Sequence, residues 1–154
     1  MSISIRTAIP ADTETVADFN YRLALETEQK QLDRARLDPG VAAMLQDNNK
    51  GLYFLACKED NIVGQLAITF EWSDWRNGWF WWFQSVYVVP EARGDGVFSM
   101  LFDHVLDKAR ARPDVCGLRL YVDKDNNSAQ TVYLARGMKK TSYHVMELDF
   151  QHSD

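Results

Sequence analysis

The segment Trp79–Val89, WFWWFQSVYVV, is apolar at successive positions rather than at alternate ones. A strand with that pattern needs cover on both faces and belongs in the middle of a sheet. The chain around it must therefore supply a layer on each side. Pro90 ends the segment, and the apolar period then lengthens to 3.6, with Val97, Met100, Leu101, Val105 and Ala109 on one stripe of an amphipathic helix. A central strand thus passes into a helix through a short turn that holds Gly94 and Gly96.

The other elements follow from the same periodicities. Ser2–Thr7 alternates and reads as a first strand. Pro10 opens a helix in the favoured first turn, with Val16, Phe19 and Leu23 as its stripe, and the helix reaches about Leu37 with a break on the way. Asp38-Pro39-Gly40 ends it, and Val41–Gln46 forms a short second helix. Gly51–Lys58 and Ile62–Trp72 read as a hairpin around Glu59-Asp60-Asn61. Cys116–Val122 is a further strand, Asn126–Arg136 a helix closed by Gly137, and Thr141–Phe150 an alternating final strand. The order β-α-(α)-β-β-β-α-β-α-β predicts a mixed α+β sheet with helices on both faces. A length of 154 residues fits one domain, 1–154.

Charge and composition narrow the function. Lys and Arg total 17 against 22 for Asp and Glu, a net charge of -5, which argues against a general nucleic-acid binder and for a neutral or cationic small substrate. Apolar runs fall short of the roughly 20 residues of a membrane span. Met1 leads into alternating residues with no apolar h-region, so a secretory signal is not expected. Cys57 and Cys116 sit in apolar runs and read as buried thiols of a reducing, cytoplasmic compartment. His104, His144 and His152 have no metal-ligand spacing, and no metal is expected.

The chemistry concentrates in two segments. In Val89-Pro90-Glu91-Ala92-Arg93-Gly94-Asp95-Gly96-Val97-Phe98-Ser99, the two glycines let consecutive backbone N–H groups turn towards one anion, and the helix N-terminus adds its unpaired donors. Such a turn suits a phosphate or pyrophosphate. It lacks the Gly-Lys-Ser/Thr ending of a P-loop, and Ser99 stands where the dinucleotide fingerprint has its third glycine. In Asn126–Met138, Asn126 is a plausible N-cap, and Ala129 and Tyr133 share a helical face where a small residue admits a ligand and a phenol can donate a proton.

Together these segments resemble the GCN5-related N-acetyltransferase (GNAT) superfamily. Its acetyl-CoA signature, Arg/Gln-x-x-Gly-x-Gly/Ala, stands here as Arg93-Gly94-Asp95-Gly96-Val97-Phe98, with Phe98 in the last small position. Its later segment stands as Asn126 to Met138, and the order of elements agrees over almost the whole chain. The resemblance implies a twisted, mostly antiparallel sheet of about six to seven strands. It also implies acetyl-CoA as cosubstrate, with the pantetheine arm paired to Val86 and Val88, the pyrophosphate held by Arg93, Gly94, Asp95, Gly96, Val97, Phe98 and Ser99, and Asn126 and Tyr133 close by.

On that reading an amine attacks the thioester directly, a main-chain N–H on the central strand stabilises the oxyanion, and Tyr133 protonates the departing thiolate. The base is a carboxylate: Glu71 is taken as the candidate, with Asp74, Glu26 and Glu28 as others. Gln84, near where some polyamine-acetylating relatives carry acidic residues, is expected at the acceptor with Glu28 and with Trp72 and Trp75 as an aromatic wall. The acceptor is a small primary amine, polyamine-like or amino-acid-like, with no nucleic acid or membrane involved; homodimers are common in the family. A peptide or protein acetyltransferase with an open groove is a second reading, and a non-catalytic acyl-CoA sensor a third.

Overall fold

The structure, a computed structural model, describes residues 2–151. The chain divides into two compact units, Met1–Tyr121 and Val122–Asp154.

The first unit holds the sheet. Its elements are β1 (Ile3–Thr7), α1 (Thr13–Glu28), α2 (Arg34–Leu45), β2 (Leu52–Lys58), β3 (Asn61–Ser73), β4 (Gly78–Val88), α3 (Val97–Arg110) and β5 (Val115–Leu120). The strand order is β1-β2-β3-β4-β5, antiparallel up to β4, with β5 parallel to β4. As its two-sided apolarity predicts, β4 has a strand on each side.

Alternation along β2 assigns the two faces. Tyr53 and Leu55 pack with Val16 and Ala17 of α1 and Val41 and Leu45 of α2 in one core. Phe54 turns the other way and meets His104 of α3, ring centroids 5.2 Å apart. On that side Leu101, Phe102 and Val105 of α3 are buried. The sheet is thus sandwiched between α1 and α2 on one face and α3 on the other.

Two helix boundaries and the burial of the cysteines differ from the sequence reading. Gln29, at φ 52°, caps α1 at Glu28, and α2 then begins at Arg34 and runs straight through Pro39. Pro39 removes one hydrogen bond early in the helix, and burial of Val41 and Leu45 outweighs that loss. Cys116, on the edge strand β5, is exposed and Cys57 is only partly buried, rather than both being buried.

The second unit contains α4 (Asn127–Ala135). The final strand expected over 141–150 is not formed, so among the described residues the sheet has five strands, not six to seven. Val145, Met146, Leu148 and Phe150 are largely exposed. Their alternation specifies two faces but no partner edge, and without a ladder a strand does not form.

Candidate active site

The site begins where β4 loses its second neighbour. Pairing with β5 ends at Phe83↔Leu120, whereas β4 continues to Val88 beside β3 alone. Among the described residues Gln84–Val88 therefore has no strand paired on its second edge. Val89 N–H donates to Val63 O at 2.9 Å, so by alternation Tyr87 faces β3 while the peptide groups of Val86 and Val88 face the open side.

A β-bulge sets that orientation. The β3–β4 register shifts between Gln65 and Ala67, and Ser85 takes φ 51°, a left-handed conformation that is uncommon for serine. The extra residue turns the strand over. Phe83 packs on Phe102 of α3, whereas Tyr87 packs on Phe19 of α1, although the two positions share parity.

Two cavities flank the bulge. One, of about 420 Å³, is lined by Val86, Tyr87, Val88 and Arg93 with Leu23, Glu26 and Thr27 of α1. The other, of about 380 Å³, includes Ser85, Asn20, Tyr53, Glu28 and Lys30 and a wall of Leu23, Leu37, Val41 and Met44. Leu23 lines both.

Beyond β4, a turn at Pro90–Ala92 leads to Gly94 at φ 89° and Gly96 at φ 83°. Both conformations are natural only for glycine. A Cβ on either would meet nothing within 4 Å among the described residues, so the turn is open on its outer side. Gly96 is the N-cap of α3 and offers no side chain, which leaves the first-turn N–H groups without a side-chain cap. Val97 is buried against Gly64, and the Phe98 ring lies 5.9 Å from that of Phe102, along the helix. Open main-chain donors, a dipole terminus and a free strand edge in line fit the diphosphate and amide-bearing arm of a coenzyme A thioester.

The charges at the turn are paired. Arg93 Nη2 meets Glu26 Oε1 at 2.7 Å and its Nε donates to Val88 O at 3.0 Å, while the Tyr87 hydroxyl donates to Glu26 Oε2. The Tyr87 hydroxyl and the Arg93 guanidinium hold the Glu26 carboxyl below its usual range. Asp95 Oδ2 lies 3.3 Å from Lys58 Nζ.

The other expected residues lie elsewhere. Glu71 Oε1 accepts from Trp82 Nε1 at 2.9 Å and pairs with Arg119 at 3.1 Å. It stands opposite Phe80, about 17 Å along β4 from Ser85 at about 3.3 Å per residue. Trp72 packs edge-on against Trp79, and Trp75 is 91% exposed in the β3–β4 turn, so neither lines the cavity at Ser85. Gln84 Nε2 donates to Thr69 Oγ1 at 3.4 Å. Of the residues expected at the acceptor, Glu28 lines that cavity.

In the second unit Asn126 caps α4, accepting from Ala129 N–H at 3.1 Å and Ser128 Oγ at 3.2 Å. Tyr133 is half-buried, and burial raises its phenol above the ordinary 10.

Sequence reasoning passed over Lys58, Asn20, Tyr53 and Gln65. Gln65 and Asn20 had left a signal, each being a polar residue inside an apolar pattern (IVGQLAI and Val16/Phe19/Asn20/Leu23).

A strand end paired on one side alone, beside a glycine turn at a helix N-terminus, suits an acyl-CoA thioester, and comparison with known proteins agrees. Residues 17–138 match the Acetyltransferase (GNAT) family. The crystal structure of a possible acetyltransferase from Clostridium difficile 630 superimposes with a TM-score of 0.92 at 43% identity, covering 99% of this chain and 100% of that one. The aminoalkylphosphonate N-acetyltransferase of Salmonella typhimurium is 27% identical over 140 residues, 90% of this chain and 86% of that protein. A predicted acetyltransferase from Clostridium acetobutylicum, solved with acetyl-CoA, shares the fold at a TM-score of 0.80 and 19% identity, covering 99% and 100%. The chain belongs to the GNAT acetyltransferase family and is an acetyl-CoA-dependent N-acetyltransferase. Among the described residues no helix is long and apolar enough to cross a membrane.

Proposed function

We propose that the chain acetylates the primary amine of a small, amino-acid-like molecule that carries an acidic group. The supporting observation is the pair of cavities on either side of Leu23, one reaching Ser85 and the other Val86. The groove beside Val86, Val88 and Arg93 suits the pantetheine arm, and the cavity between α1, α2 and β2 suits the acceptor. The acceptor cavity offers opposite charges, Glu28 and Lys30, above an apolar wall. A zwitterionic amine fits that arrangement better than a polyamine, which needs carboxylates alone. The resemblance to an aminoalkylphosphonate N-acetyltransferase is in keeping with it.

Bound acetyl-CoA supplies a thioester open to attack by an amine. The N–H groups from Gly94 to Ser99 hold its diphosphate. On the free edge of β4, the Val86 amide pairs with the arm or donates to the thioester oxygen. The Glu28 carboxylate takes the proton that the ammonium must lose before it can attack. Glu71, tied to Arg119 and Trp82, has no part in this scheme. Tyr133 returns a proton to the leaving sulfur. The family match runs through both units and supports their acting as one acetyltransferase domain. The two free cysteines are in keeping with a reducing, cytoplasmic setting.

An acceptor screen with acetyl-CoA, following free thiol release, tests the reading. Turnover should be highest with short aminoalkyl carboxylates or phosphonates. Lys30→Ala should raise KM for these about tenfold, the scale of one lost charge-assisted hydrogen bond, and leave KM for uncharged amines unchanged. Turnover confined to peptide N-termini would move the assignment to a peptide acetyltransferase. Acetyl-CoA binding without any turnover would make the chain a sensor.

A further inference from the structure

Gln65 lies on β3, on the sheet face that meets α1, and is 0% exposed. A buried amide is costly unless its groups are bonded. Its Nε2 donates to Asn20 Oδ1 at 3.3 Å and to the main-chain oxygen of Ser85 at 3.0 Å. Asn20 Nδ2 in turn donates to the Tyr53 hydroxyl at 2.9 Å. Gln65 Oε1 is buried with no partner among the described residues. An apolar side chain would avoid that unmet acceptor, so Gln65 carries a cost, and what it provides is its two N–H bonds.

Those bonds join two parts of the site. Ser85 is the left-handed residue of the bulge, whose one-residue shift decides that the peptide groups of Val86 and Val88 face the open edge and that Tyr87 faces α1. Asn20 and Tyr53 line the cavity on the acceptor side. We infer that Gln65 is a positioning residue for acetyl transfer: its amide holds the Ser85 backbone in the bulged conformation and ties it to the acceptor cavity wall through Asn20 and Tyr53. The inference rests on the reading of that cavity as the acceptor's. Binding of the acceptor against Asn20 and Tyr53 then stiffens the strand edge that presents the thioester, and a disordered wall loosens it.

The test is Gln65→Met, which keeps length and volume and removes both donors. With the protein folded, judged by circular dichroism, kcat should fall about 10–100-fold and KM for the amine should rise, the scale of a lost buried hydrogen bond felt at the reacting atoms. The Kd for acetyl-CoA by calorimetry should change by less than about threefold, because the glycine turn is untouched. Adding Ser85→Gly should recover part of kcat, since glycine takes a positive φ unaided, whereas adding Ser85→Ala should not. Amide NMR provides a readout independent of turnover: the Ser85 and Val86 resonances should shift and exchange faster in Gln65→Met. If that variant does not fold, Tyr53→Phe, which takes the acceptor from Asn20, should give the same kcat and KM pattern more weakly. Unchanged kcat together with unchanged Ser85 and Val86 amides in a folded variant would overturn the inference. If those amides move while the wild-type protein acetylates no small amine, the acceptor reading fails and the structural tie stands.

Discussion

Glu26 of α1 and Arg93 of the glycine turn lie 67 positions apart and meet at 2.7 Å across the groove beside β4. With the Tyr87 hydroxyl on the other carboxylate oxygen, this pair fixes Arg93 against Val88 O and fastens α1 to the end of the central strand. Arg93 thus shapes the groove instead of standing free in the turn.

The pair has a pH signature. The Glu26 carboxyl is held below its usual 4.5. A lowered folded value means that its stabilisation is complete above 4.5 and is lost as pH falls through the lowered value. Both partners are well exposed, so the contribution is no more than about 1 kcal/mol. Glu26→Gln should lower Tm by about 2–4 °C at most near neutrality. That difference from wild type should vanish in acid, as differential scanning fluorimetry across pH would show.

Gly40 and Gly96 make a contrasting pair. Neither has an atom within 4 Å of a built Cβ, but Gly96 sits at φ 83° and Gly40 lies within helix α2. Gly96→Ala should cost about 1–2 kcal/mol from left-handed strain alone, and Gly40→Ala should add about 0.5–1 kcal/mol as a better helix former. Urea denaturation checks the opposite signs. In calorimetry Gly96→Val should also abolish acetyl-CoA binding, because its side chain occupies the open face of the turn.

Lys58 and Asp95 place a compensated charge at the glycine turn proposed to hold the diphosphate. A bare carboxylate there would repel an anion, so Lys58→Ala should weaken acetyl-CoA binding up to about tenfold and Asp95→Asn should tighten it. Both effects should shrink in high salt, since the pair is exposed. Calorimetry at two ionic strengths distinguishes this from a packing defect, which salt would not relieve.

How much of this was legible in the sequence depends on the range of the interaction. The central place of β4, the Gly94 and Gly96 turn and the Asn126 cap rest on local pattern, and each is found. The Glu26–Arg93 and Lys58–Asp95 pairs join distant segments, and no periodicity announces them. The bulge at Ser85 was hidden because Trp79–Val89 is apolar on both faces, so a one-residue shift breaks no alternation. Thr141–Phe150 was overread for the converse reason: alternation without a partner edge is not a strand.

Tyr133 lies on α4 of the second unit. Burial raises its phenol above 10, so at neutral pH it stays protonated and can give a proton to a leaving thiolate. If it is the general acid, Tyr133→Phe should lower kcat by about 10²–10⁴-fold, the usual worth of a placed acid, and leave the Kd for acetyl-CoA within about twofold. The pH profile supplies the sign. The raised value means that the acid form is lost only as pH climbs past 10, so the alkaline limb of the wild-type kcat profile should lie above that point. The variant should lack that limb. A Tyr133→Phe enzyme with wild-type kcat, or a wild-type rate already falling well below pH 10, would remove the phenol from proton transfer.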